Sequence, residues 1–317
     1  MTATRINWTA VIAFVTISFA LAWLVALPLW LGDGLASPFA TLVLTGMMFT
    51  PTIAALVVTF AFREPATARL RVLGLWPLRP AKRIIGLSVL SVFAPIILVL
   101  AGIAVAAIFG WVRLDLTEFS GFAALLASTG GADAGVLPIP VGVLVLSQLL
   151  TLPLGAFINL IPALGEELGW RGWLLPALRP LGTWPALVIS GAIWGLWHSP
   201  VILLGYNFGL TDITGVLLMV AACVAWGVLF GWLRLRSGSV WPAALGHGSL
   251  NASAGLVLLL AHADQTINPA LTGPLGVAGL IIVAIVAAIL VATGQFRTQP
   301  ELAAPRTGVA AEEPGAA

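Results

Sequence analysis

The chain is 317 residues long, with 60% hydrophobic and only 8% charged residues and a mean hydropathy of +1.08. An ordinary soluble domain carries about a quarter charged residues, so this composition cannot cover a water-exposed surface. A soluble enzyme and a nucleic-acid-binding protein are both excluded.

Eight charge-free runs follow one another: 6–32, 34–62, 84–112, 134–165, 180–211, 213–233, 237–263 and 265–296. Each is long enough to cross a hydrocarbon core, which needs roughly 20 helical residues. They are apolar throughout, unlike the short alternating strands of a membrane barrel. The expected fold class is therefore all-α: a polytopic membrane protein with eight transmembrane helices in one bundle over 1–296. The first run continues to Leu31, longer than the core of a signal peptide, and reads as a retained signal-anchor helix. The connection 63–83 holds six basic residues with Pro65, Pro77 and Pro80, and is expected to lie against anionic headgroups. The end of the chain, 297–317, is small, polar and proline-punctuated, and is expected to be a disordered tail.

The net charge of +2 follows from where the charges sit. With the amino terminus in the cytoplasm, alternate loops place thirteen basic residues inside and Arg113 alone outside, as the positive-inside rule expects. Eight spans then put both termini in the cytoplasm, and the expected location is the bacterial cytoplasmic membrane. Cys223 is the single cysteine, so no intramolecular disulfide can form and a thiolate metal site is disfavoured.

Ionisable groups inside lipid are costly and usually mark function. Three clusters lie within the runs. The first is Glu166-Glu167-Leu168-Gly169-Trp170-Arg171, the second Trp194-Gly195-Leu196-Trp197-His198, and the third His247-Gly248-Ser249-Leu250-Asn251. In each, a pair at i and i+4 shares one helical face: Glu167 with Arg171, Trp194 with His198, His247 with Asn251. Arg179 and Trp184 flank a turn at the membrane surface. Glu166 lies 13 residues before it and His198 lies 14 after it. Both stand about 20 Å deep at 1.5 Å per residue, so antiparallel helices bring them level. The stretch 134–178 is too long for one straight span, so Pro153, Pro162, Gly165, Gly172 or Pro176 must break or tilt it.

These three motifs, in this order and on separate helices, resemble the CPBP family of intramembrane proteases. That family includes the CAAX prenyl endopeptidases and the bacterial abortive-infection and bacteriocin-processing homologues. Its EExxxR motif matches Glu166, Glu167 and Arg171; its aromatic-xxx-His motif matches His198; its HxxxN motif matches His247 and Asn251. Trp194 departs from the usual Phe, which enlarges the aromatic platform. The resemblance implies hydrolysis of a peptide bond within the membrane, on a membrane-embedded or lipidated peptide substrate. Glu166 would then be the general base, helped by His198, with His247 and Asn251 binding a metal or donating to the oxyanion. Glu166, His198 and His247 are the candidate zinc ligands, a three-residue set with an open position for water. A metal-free glutamate mechanism stays open beside it. Glu167 is expected to pair with Arg171 and hold the helix.

Read without the family, each cluster has a plainer meaning. The first could be an interfacial ion cluster, and the second a packing histidine before the Pro200 kink. The third could be interhelical glue. A proton-coupled transporter and a non-catalytic immunity or scaffold protein are the alternatives from other classes. No internal repeat supports the transporter.

Overall fold

A computed structural model describes residues 5–130 and 139–297. The part of the expected tail from 298 onward lies outside them. Sixteen helices follow in chain order: α1 Trp8–Leu31, α2 Ala40–Met47, α3 Thr50–Phe60, α4 Arg69–Val72, α5 Ala81–Ile108, α6 Ser120–Gly130, α7 Val141–Ile158 and α8 Leu160–Glu167, then α9 Leu175–Leu178, α10 Thr183–Trp197, α11 Ser199–Ile202, α12 Ile213–Ser237, α13 Trp241–Ser253, α14 Leu256–Leu260, α15 Pro269–Thr272 and α16 Val277–Ala292. No strand forms among the described residues, apart from one isolated antiparallel bridge between Leu114 and Ala261. The protein is an all-α, polytopic integral membrane protein.

Among the described residues, seven stretches are long and apolar enough to cross a membrane: Trp8–Leu31, Ala40–Phe60, Ala81–Ile108, Val141–Ile158, Ile213–Ser237, Trp241–Leu260 and Pro269–Ala292. The eight-span expectation differs at 180–211. There α10 is only 15 residues long and ends beside His198, and the four-residue α11 carries on. Pro200 at the start of α11 lacks the N–H that a continuous helix would need from it. The long stretch before it breaks at Asn159, between α7 and α8, and widens again from Leu168 to Leu174 into a π-helical turn.

Local sequence explains the helix ends. The Asn7 side chain accepts from the Ala10 N–H at 3.1 Å and opens α1, and Asp212 accepts from the Thr214 N–H at 2.9 Å and opens α12. α12 closes on Gly238, whose φ of 72° is the left-handed conformation glycine adopts most easily.

Burial sorts the helices into inner and outer. Of the apolar stretches, Trp241–Leu260 and Ile213–Ser237 are 67% and 56% buried, against 17% for Val141–Ile158 and 22% for Pro269–Ala292. α12 and α13 therefore form the centre. α10 packs along α12; α13 packs against α5, α7 and α8; α1 packs on α3, which meets α8 and the π turn. Outward-facing Leu42, Phe60, Ile108, Leu150 and Ile161 are exposed, an apolar exterior suited to lipid rather than water.

The basic connection is partly tied to this centre. Arg234, fully buried on α12, donates to the Val72 carbonyl at 2.6 Å and to the Arg171 carbonyl at 3.0 Å. The Gly74 carbonyl accepts from the Ser239 hydroxyl and the Val240 N–H, both at 3.0 Å. Gly74 has φ +74°, and a Cβ there would lie 2.8 Å from the Arg234 guanidinium carbon. Arg63, Arg71, Arg79, Lys82 and Arg83 stay exposed on the same connection.

Candidate active site

Glu166 and Glu167 are the last two residues of α8, and Arg171 sits in the π turn that follows. Such turns are rare and recur at functional sites, because the widened backbone re-aims its side chains. All three side chains are buried inside the protein. Glu167 Oε1 accepts from Arg171 Nη1 at 2.7 Å, the i to i+4 pair expected from the spacing. The same oxygen lies 3.0 Å from His247 Nδ1 on α13, while Glu167 Oε2 is buried without a partner.

The candidate ligand set groups Glu166 with both histidines. Instead, Glu167 holds His247. The reason is how close α13 comes to the junction of α7 and α8. A Cβ on Gly248 would stand 2.6 Å from the Ala156 carbonyl oxygen, so only glycine permits this approach. It sets the neighbouring His247 against the Glu167 face of α8. Glu166 points elsewhere, and its Oε2 accepts from the Trp194 indole Nε1 at 2.6 Å. The Arg171 guanidinium lies over the Trp194 ring, 4.2 Å from the centroid, and 5.5 Å from that of Phe230.

His198 caps α10 with its Nδ1 2.9 Å from the Trp194 carbonyl oxygen. A carbonyl only accepts, so Nδ1 carries the proton and Nε2 is the nitrogen left for other work. The carboxylate of Glu167 assigns His247 in the same way: Nδ1 donates and Nε2 remains.

These groups face one cavity of about 440 Å³. Glu166, His198, His247 and Asn251 all line it, with Trp194 beside them. Glu167 and Arg171 are not on its wall; they stand behind it, one holding His247 and the other stacked on Trp194. Tyr206, Asn159 and Asn207 also line the cavity, and none of them was singled out from the sequence. Tyr206 is the only tyrosine of the chain, and that isolation was the one available signal. Among the described residues no group of three or more His, Cys, Asp or Glu side chains is placed to hold a metal ion. In the expected zinc set of Glu166, His198 and His247, one Glu166 oxygen accepts from an indole.

Residues 148–253 match the family model described as Type II CAAX prenyl endopeptidase Rce1-like. This segment, a third of the chain, is thus similar to the Rce1-like endopeptidases. All six motif residues, from Glu166 to Asn251, lie inside it. A curated relative named CAAX prenyl protease 2, from Methanococcus maripaludis, is 28% identical over 109 residues, which is 32% of this chain. The match spans 40% of the length of that relative.

Proposed function

We propose that this protein is an intramembrane endopeptidase that hydrolyses a peptide bond of a membrane-embedded or lipidated substrate, with water activated by Glu166. One observation carries the reading: the Rce1-like segment supplies a buried carboxylate, two histidines and an asparagine to a single cavity. A general base must reach its proton directly or through one water, and Glu166 faces the space where that water would sit.

The roles follow from the hydrogen bonds. Glu166 takes the proton of the attacking water. His198, with Nδ1 anchored on the Trp194 carbonyl, presents the basic Nε2 to the same water. His247, held at Nδ1 by the Glu167 carboxylate, lines the cavity beside Asn251, whose amide N–H donates to the developing oxyanion. In the collapse of the tetrahedral intermediate, the proton held on Glu166 passes to the leaving amine. The peptide C–N bond breaks as the water oxygen stays on the carbonyl carbon. A buried site far from bulk solvent strengthens each of these interactions.

The orientation proposed with this activity has both termini in the cytoplasm and the basic connection 63–83 on the same side. The test of function is a comparison of membrane-associated peptides in cells carrying wild type or Glu166→Gln. Processed peptides that disappear in the variant support the reading. Identical peptide profiles contradict it.

A further inference from the structure

Trp194 does more at this site than fill space. It is the residue at which the second motif departs from the usual phenylalanine, and a phenylalanine has no N–H. Its indole Nε1 donates to Glu166 Oε2 at 2.6 Å, at the short end of the range for charge-assisted hydrogen bonds. Ordinary satisfaction of a buried indole does not explain this contact. Trp30, Trp173, Trp226 and Trp241 donate to backbone carbonyls, and Trp197 donates to the Thr50 hydroxyl. The Nε1 atoms of Trp170 and Trp232 are buried with no hydrogen-bond partner. Among the described residues, Trp194 is the one indole that donates to a carboxylate.

The geometry points to Trp194 as a positioning residue for the general base, an inference that rests on the hydrolase reading. It acts through two contacts at once. The N–H fixes one Glu166 oxygen and so sets the carboxylate rotamer, which leaves Oε1 as the oxygen free to take a proton from water. The Arg171 cation lies 4.2 Å over the same ring, where it draws electron density from the indole and makes the N–H a better donor. Arg171 is itself paired to Glu167. The two adjacent glutamates are thereby connected through Arg171 and the indole, though they do not touch the same partner. The ring also meets His247 edge to face at 5.3 Å, so its orientation is fixed from both sides.

Trp194→Phe is the direct test, because it keeps an aromatic ring for Arg171 while removing the donor together with part of the ring. Full-length protein in detergent or nanodiscs is assayed on an identified peptide. The loss of one hydrogen bond to a charged group should lower kcat roughly 10- to 100-fold, with KM little changed. A packing defect alone would lower thermal stability and leave the turnover of the folded fraction intact. The second readout is the indole Nε1 proton resonance, assigned to Trp194 by its loss in Trp194→Phe. It should move upfield in Glu166→Gln, where a neutral amide oxygen replaces the carboxylate. If Trp194→Phe fails to fold, the comparison of wild type with Glu166→Gln still decides: one indole resonance moves, or the inference falls. Wild-type turnover by Trp194→Phe beside an inactive Glu166→Gln overturns the role of Trp194 and leaves the protease reading standing. Normal cleavage by Glu166→Gln overturns the protease reading itself.

Discussion

Glu167→Gln should unsettle the protein far more than Glu166→Gln, although the two residues are adjacent and both buried. Glu167 Oε1 takes Arg171 at 2.7 Å and His247 at 3.0 Å, so its negative charge serves two buried partners. Leaving a buried ion without its counter-charge costs about 3–5 kcal/mol. A glutamine keeps one acceptor oxygen, worth about 1 kcal/mol, and the guanidinium keeps the face of Trp194. The expected loss is therefore about 2–4 kcal/mol. Glu166→Gln should be nearly neutral in stability, because the amide oxygen can still accept from Trp194. Thermal denaturation of both purified variants reads the difference as a drop of several degrees in Tm for Glu167→Gln alone. The double variant Glu167→Gln/Arg171→Met sharpens the test. Removing both charges should recover part of the stability lost in the single variant, because the orphaned cation is gone. Strictly additive losses, or a Glu167→Gln protein as stable as wild type, would refute the claim that this carboxylate holds Arg171 and His247.

Three other outcomes follow from the same geometry. Asn251→Ala should lower kcat about 10²- to 10³-fold while leaving Tm near wild type, as expected for loss of an oxyanion donor at a half-buried position on the cavity wall. Gly248→Ala should cost about 1–3 kcal/mol in thermal denaturation and also impair turnover, since the added carbon pushes α13 off the Ala156 carbonyl and takes His247 with it. On the connection before α6, the Ser120 hydroxyl and the Glu118 and Ser120 backbone N–H groups hold the Asp115 carboxyl well below the usual carboxylate range. A depressed folded pKa means this anchoring is present at any pH above the unfolded value and is lost only as pH falls through the folded one. Carboxyl carbon NMR should find Asp115 still ionised at pH 4, and titration at an ordinary aspartate pKa would contradict the hydrogen-bond assignment.

What could be read beforehand and what could not divide along a physical line. Helical periodicity is a local rule, so the Glu167–Arg171 pair and the apolar character of the spans were legible from spacing alone. The matched depth of Glu166 and His198 needed only the rise per residue, and Trp194, one turn from His198, does reach Glu166. The partner of His247 was not legible. It depends on how closely α13 approaches the α7–α8 junction at Gly248, which is a tertiary fact. The indole donation to Glu166 is tertiary in the same way: ring size is legible from the residue type, whereas the partner of the N–H depends on how α10 meets α8. Tyr206, Asn159 and Asn207 carry no motif and come to the cavity through a loop and a helix break. The expectation of eight spans rested on charge-free length, which does not register the stop of α10 beside His198 and Pro200.

The central claim is that Glu166 activates water for peptide hydrolysis inside the bilayer. The measurement that meets it most directly uses purified protein in liposomes with a lipidated peptide carrying a fluorophore and quencher on either side of the scissile bond, followed in parallel for wild type and Glu166→Gln. The account predicts cleavage by wild type and none above background by a Glu166→Gln protein of equal thermal stability. Equal cleavage by the two proteins would contradict it.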